Sequence, residues 1–305
     1  MLLSPRGHGE AIFFFGPRLV FRDPLCYEEL LMKIRFGHSP DPDDAFMFYA
    51  IAHRRINLKG FEIEHVVEDI ESLNRRALTG ELEVTAVSVH AYAHLADRYA
   101  ILRSGASMGE HYGPIVVSKT PIRAGDLKDR TIAVPGELTT AFLALRLFEP
   151  RAKHVVVPFD QIMDYVSDGK SDAGLLIHEG QLTYRKHGLN KVIDLGEWWW
   201  NRTQLPLPLG VDVIRKDLGA QQMKSFSGVF QKSIEYSLEH RDAALEYALP
   251  YGRGLTRASA DEFVGMYVND YTRGLGSKGE RAISELLHRA YEAKLVPKNI
   301  TPEFV

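Results

Sequence analysis

The sequence predicts a two-lobed α/β fold, with a cleft between the lobes and a hinge made of two chain segments. Three observations carry this reading. The chain has 305 residues, more than one hydrophobic core ordinarily absorbs. Strand-like apolar runs alternate with helical stretches in a β-α-β-α-β order that occurs twice, which implies largely parallel strands joined by right-handed crossovers. After the second set, the extended run at 206–214 reads as a return to the first lobe.

Residues 1–31 read as an extension outside the fold. The apolar run at 11–16 is too short for a signal-peptide core, and Arg18 and Arg22 follow it without a small-residue cleavage site. Met32 abuts the first strand and reads as a start codon; a helix at 25–32 packing on the body is the structural alternative. Residues 33–38 form the first strand, followed by the Pro- and Asp-rich loop 39–44 and an apolar helix at 45–52. Asp43 or Asp44 is expected to cap that helix, where acids suit its positive end. Residues 61–67 are the second strand, 70–78 a helix stopped by Gly80, and 83–89 the third strand. Strands at 100–103 and 113–118 follow, joined by a glycine-bearing segment at 104–111.

The second set comprises strand 131–135, helix 139–146, strand 154–158, helix 161–167 and strand 172–177. A helix at 183–187 ends at Gly188, and a strand at 191–195 precedes Trp198, Trp199 and Trp200. The remainder is helical, at 218–240, 242–248, 260–271 and 279–295. The expected organisation is therefore lobe 1 at 32–119 and 210–305, with lobe 2 at 120–209 inserted. A cleft between two lobes on a two-segment hinge is the plan of the type II periplasmic-binding-protein fold.

Composition narrows the function classes. Hydrophobic residues make up 45% and charged residues 25%, as in an ordinary globular protein. The formal charge of −3, with Lys and Arg scattered, provides no basic face for nucleic acid. The only cysteine is Cys26, so neither an internal disulfide nor a Cys-based metal cage is available. No apolar run approaches the roughly 20 residues that cross a bilayer, so no membrane partner is expected. A small-molecule ligand remains.

The run at 173–177 stops at His178-Glu179-Gly180. That places an imidazole past the C-terminal end of a buried strand, where open α/β sheets leave a ligand crevice. A neutral imidazole can take a proton near pH 7, so His178 is the candidate base; the bland alternative is a capping histidine. Alternation along a strand would turn Glu179 outward into solvent. Thr139, Thr140 and Ala141 open a helix after Pro135-Gly136, whose free amides and hydroxyls would seat a carboxylate; plain N-capping is the other reading. Ser39 and Ser88 end the first and third strands facing the same cleft and are candidate ligand contacts. The three tryptophans cannot all face a ligand, so core packing is expected of them. His53, His65 and His94 lack ligand spacing, and no metal is assigned.

Several motifs together carry a family resemblance over residues 32 to about 295: RFGHSPDPDDAFMFY at 35–49, YGPIVV at 112–117, AVPG at 133–136 with Thr139-Thr140-Ala141, LIHE at 176–179 with Thr183-Tyr184, and LPLPLG at 205–210. In this order they resemble the 1,4-dihydroxy-6-naphthoate synthases of the futalosine route to menaquinone. The resemblance implies a cytoplasmic, metal-free and cofactor-free carbon–carbon lyase with the binding-protein fold. Its implied substrate is cyclic dehypoxanthinyl futalosine, from which a dihydroxynaphthoate is released. His178 falls on the family position proposed as the general base. The chain departs from the family at Asp41 and Asp43, where Cys and Asn are usual, and at Ala45, where Thr is usual. Two ionised acids there would repel a substrate carboxylate by several kcal/mol at about 4 Å and an effective dielectric of 20, so either they point outward as caps or the pocket differs in detail. The alternatives are a solute-binding protein, which needs export or an anchor, and the sister enzyme chorismate dehydratase; the His178-Glu179 motif favours the naphthoate synthase. Fold alone does not choose among the three.

Overall fold

The computed structural model describes residues 31–305. The expected extension at 1–31, and the alternative helix at 25–32, therefore fall almost wholly outside the described residues, and Met32 opens the first strand. Two mixed sheets form the frame, one in each lobe.

The first lobe begins β1 (Met32–His38), α1 (Pro42–Ala52), β2 (Phe61–Val67), α2 (Ile70–Thr79), β3 (Val84–Ser88), α3 (Val89–Tyr92), β4 (Tyr99–Ile101) and β5 (Ser107–Gly109). The second lobe holds β6 (Ile115–Ser118), β7 (Thr131–Val134), α4 (Thr140–Phe148), β8 (Lys153–Val156), α5 (Ile162–Ser167), β9 (Ala173–Leu176), α6 (Gly180–Thr183) and β10 (Asn190–Asp194). After α7 (Leu195–Thr203) the chain returns through β11 (Leu207–Arg215). It ends in α8 (Ala220–Glu239), α9 (Arg241–Ala248), α10 (Arg257–Tyr267), α11 (Asp270–Arg273) and α12 (Gly276–Glu292).

The first sheet runs β2-β1-β3-β11-β4, with β5 also beside β11. Strands β1, β2 and β3 are parallel, as the β-α-β-α-β order requires, while β11 enters antiparallel to β3. The second sheet runs β10-β6-β9-β7-β8. There β7 is parallel to β8 and β9, and β6 is antiparallel to β9 and β10.

Pairing moves the expected lobe boundaries. Residues 115–118 were expected in lobe 1, yet β6 pairs in the second sheet. The chain crosses just before it, at 110–114, where His111 adopts a left-handed φ of 66°. On the return, β11 begins at Leu207 rather than 210, after Gln204 turns the chain at φ 56°. Strand β5 was not foreseen, because three residues ending in glycine carry no alternation. The expected helix at 260–271 is split: Asn269 accepts from the Tyr271 amide and forms a capping box with Thr272. A strong N-cap therefore starts a new helix inside an otherwise periodic stretch.

Local chemistry explains the elements that shape the cleft. Helix α1 is apolar on nearly every face, and residues 42–51 are all buried, the usual fate of a helix without a polar side. Its packing partners are α8 and α9 and a core around Phe36, Phe48, Phe226 and Phe230. Helix α2 begins at Asp69, whose carboxylate accepts the Glu71 and Ser72 amides, and ends at Gly80, φ 74°. That left-handed C-cap suits glycine. A second core, including Tyr92, Met108, Leu143, Trp199 and Leu286, draws residues from both lobes.

Candidate active site

Four strand ends converge on one cavity of about 740 Å³ of atom-free space, its open mouth included. All the residues expected at the site line it: Ser39 after β1, Ser88 at the end of β3, Thr139, Thr140 and Ala141 after β7, and His178 after β9. Volumes of this order hold small organic ligands.

The second-lobe wall is built at the start of α4. Thr139 caps the helix: its hydroxyl accepts the Phe142 amide (3.2 Å) and donates to the Gly136 carbonyl (2.8 Å). The Thr140 hydroxyl donates to the Leu209 carbonyl (2.6 Å) and accepts the His90 amide (3.3 Å). Both hydroxyls are thus engaged within the protein, contrary to the expectation that they help seat a carboxylate. The amides of Thr140 and Ala141 have no partner among the described residues. Two free amides at a positive helix end are the donors this wall leaves available to an anion.

Strand β9 ends at Leu176, so His178 lies in a turn, at φ 54°. A non-glycine residue held there is strained and needs surrounding contacts to keep it. Its Nδ1 lies 2.8 Å from Oδ2 of Asp41, and the Phe159 ring meets the imidazole edge-on at 5.0 Å. Nε2 has no hydrogen-bond partner among the described residues. The imidazole is thereby fixed with one nitrogen on a carboxylate and the other unused.

Asp41 is the N-cap residue of α1, but its carboxylate bonds no helix amide. It accepts the Ser39 hydroxyl (2.6 Å) and pairs with His178 and Arg253. Asp43 and Asp44, either of which was expected to cap α1, are buried and line the cavity, and neither Asp41 nor Asp43 points outward. They are drawn in because α1 is buried on every side, its first turn included. Asp44 accepts the Ser39 amide (2.6 Å), while Oδ1 of Asp43 is buried without a partner.

Glu179 corrects another expectation. It is not solvated; both its oxygens accept from Arg253 at 2.7 Å. Strand alternation fails because residues 178–179 have left the strand for a turn, and Glu179 is the N-cap residue of α6. Arg253 lies over the Phe159 ring at 5.0 Å and also donates to the Pro40 carbonyl (3.1 Å). Asp41 and Arg253 belong to the first lobe, His178 and Glu179 to the second, so the four charges latch the lobes across the cleft. Gln181 adds a second bridge by donating to the Tyr267 hydroxyl (2.5 Å).

The electrostatics resolve the expected repulsion. Burial disfavours the imidazolium of His178, but the charge and hydrogen bond of Asp41 outweigh it and raise its pKa to about 9. Burial likewise opposes ionisation of Asp41, yet His178, Arg253 and Ser39 hold it below the usual carboxylate range. Asp44 is pushed up to about 6 by burial and by Asp41. Asp43 is raised well above its ordinary value by burial and by Asp44 and Asp41. Asp212, on β11, is raised by burial and by both of those acids. His178 and Arg253 thus face Asp41 and Glu179, while burial and neighbouring acids push Asp43 and Asp212 toward their neutral forms. The acid-lined wall does not repel a carboxylate as two ionised groups would.

Position in sequence concealed part of this site. Asp212 fits only because Gly105, at φ 90°, leaves room; a Cβ there would collide with its carboxyl. Arg253 sits between Gly252 and Gly254 in the helical tail, the one local hint of a special turn. The tryptophans do not line the cavity: Trp199 is buried with its indole on the Pro206 carbonyl (3.1 Å), Trp198 packs on Phe148, and Trp200 on His111. Among the described residues, no cluster of three or more His, Cys, Asp or Glu could hold a metal ion, and no helix is long and apolar enough to cross a membrane.

Residues 34–292 match the model of a family described as menaquinone biosynthesis. The chain is 40% identical over 272 residues to a 1,4-dihydroxy-6-naphthoate synthase from Thermus thermophilus, covering 89% of this chain and 99% of that protein. It is 37% identical to the Streptomyces coelicolor enzyme of the same name, over 87% and 95% of the two chains. A crystal structure of an Archaeoglobus fulgidus protein superposes with a TM-score of 0.83 at 48% identity, over 88% of this chain and all of that one. An alkanesulfonate-binding protein from Xanthomonas axonopodis shares the fold at a TM-score of 0.66 and 13% identity, over 90% and 98% of the chains.

Proposed function

We propose, because the chain belongs to the menaquinone-biosynthesis family, that this protein acts as a 1,4-dihydroxy-6-naphthoate synthase. Its substrate in this reading is cyclic dehypoxanthinyl futalosine, and the reaction is a metal-independent carbon–carbon lyase step. The observation that carries the proposal is His178, held by Asp41 through Nδ1 with Nε2 unpaired in a cleft that offers free amides to an anion.

The substrate carboxylate sits on the amides of Thr140 and Ala141, with Ser39 and Ser88 on the first-lobe side. This fixes the reacting carbon relative to Nε2, converting proton removal into an oriented intramolecular step. Asp41 orients the imidazole and stabilises the imidazolium that forms when the proton arrives, the role a carboxylate plays in hydrolytic triads. Loss of that proton lets the elimination proceed to an aromatic ring. The raised basicity of His178 strengthens it as a base but leaves it protonated more of the time at neutral pH, so the active fraction grows as pH rises toward 9.

The test is turnover by His178→Asn, which retains size and one hydrogen bond but takes up no proton. We expect naphthoate formation to fall by about 10²–10⁴ in kcat with little change in substrate affinity. More than about a tenth of the wild-type rate in the variant would remove His178 from the role. Tight binding of the substrate by the wild-type protein without any turnover would instead favour a solute-binding protein.

A further inference from the structure

A second cavity lies on the far side of α4 from the catalytic cleft, with about 560 Å³ of atom-free space including its mouth. It is lined by His90 of α3, by Phe142, Leu143 and Arg146 of α4, by Glu137 and His154, and by Lys294 and Leu295 after α12. The site therefore joins segments of both lobes.

Its polar groups are unusually short of partners. Arg146 makes no hydrogen bond or ion pair with any described residue, and its Nε is buried. Lys294 is exposed at the cavity wall, and its amino group has no partner among the described residues. His90 is more than nine-tenths buried, and its Nδ1 has no partner. Burial keeps the His90 imidazole neutral, its pKa lowered to about 4, although the backbone carbonyls of Thr139, Leu295 and Glu137 lie near the ring; its Nδ1–H tautomer is a neutral donor. The neighbouring carboxylate, Glu137, is already engaged with Nε2 of His154 at 2.9 Å. These two nitrogens are the only orphaned buried donors of their kind among the described residues; the other orphans are oxygens.

A buried guanidinium nitrogen without an acceptor costs free energy that a native fold ordinarily avoids. Arg146 presents the planar fork that matches a carboxylate or phosphate, and Lys294 adds a point charge. Phe142, Leu143 and Leu295 supply an apolar floor. We propose that this cavity is a binding site for a small oxyanion, a carboxylate or phosphate group held by Arg146, Lys294 and Nδ1 of His90.

An occupant would bridge the lobes beside the helix whose first residues seat the substrate. The amide of His90 already donates to Thr140, which links the two sites through one turn of backbone. None of the three proposed ligands lines the catalytic cavity, so binding at the second site is separable from the proposed reaction.

The direct test is a proton–nitrogen correlation spectrum of the arginine Nε–H groups in the full-length protein. The Arg146 signal is identified by its absence in Arg146→Gln. Inorganic phosphate and benzoate are titrated separately, to distinguish a phosphate head group from an aromatic carboxylate. We expect a saturable shift of the Arg146 signal with millimolar or tighter affinity for at least one of them, weakened at least about tenfold in Lys294→Met. Melting temperatures of both variants confirm that they are folded. No movement of the Arg146 signal up to tens of millimolar of either anion would overturn the proposal. So would calorimetric anion binding that persists unchanged in Arg146→Gln, since the anion would then sit elsewhere.

Discussion

The two walls of the cleft reach their function by different routes. The second-lobe wall is local: Thr139 to Ala141 start a helix and His178 follows a strand, each placed by its own few neighbours. The first-lobe wall depends on distance. Asp41 meets Arg253, 212 residues away, and Asp212 rests against Gly105 and beside Asp43 and Asp44. The same residue type also does opposite things there. Asp41 is held toward its ionised form by two cations, whereas Asp212, equally buried but without a cation, is pushed toward its neutral form. Burial penalises the charged form in both; the partner decides the outcome.

That contrast predicts a series of unequal effects. Asp41→Asn leaves His178 and Arg253 without their shared anion and removes the support of the imidazolium. We expect kcat to fall by about a hundredfold and the protein to lose on the order of 3 kcal/mol, as when one member of a buried pair is removed. Wild-type-like turnover in this variant would dissolve the distinction between the two aspartates.

Arg253→Met should do less. The guanidinium is about one-third exposed, so its loss is partly screened and should cost about 1–2 kcal/mol. The lobes lose their main latch, so KM should rise about tenfold with a smaller change in kcat. An unchanged KM would show that the latch does not favour the closed cleft. Asp212→Asn should be nearly silent, within about 0.5 kcal/mol in thermal unfolding and about threefold in rate, because the amide resembles the neutral carboxyl that burial favours there. A large loss would mean that Asp212 works as a carboxylate.

The same division explains what could be read from the sequence. Strand and helix periodicity located most elements within a few residues, and strand-end logic brought Ser39, Ser88, Thr139, Thr140, Ala141 and His178 to one cavity. Glu179 was misplaced because alternation holds only inside a strand, and the chain leaves β9 before it. Asp43 or Asp44 read as a helix cap because acids suit a positive helix end; complete burial of α1 turns both into the cavity instead. The partnership of Asp41 with His178 and Arg253 carries no local signal at all. It exists only once both lobes have folded and met.

The central claim is that Asp41 sets the basicity of His178, and kcat/KM against pH tests it most directly, because that ratio reports ionisations of the free enzyme. For the wild-type protein the rising limb should extend to about pH 9, where His178 loses its proton. In Asp41→Asn the imidazole loses its main electrostatic support, so the limb should move down toward the ordinary histidine range near pH 6–7 at a lower plateau. Identical limbs in the two proteins would contradict the account, placing the controlling proton on a group other than the His178–Asp41 pair.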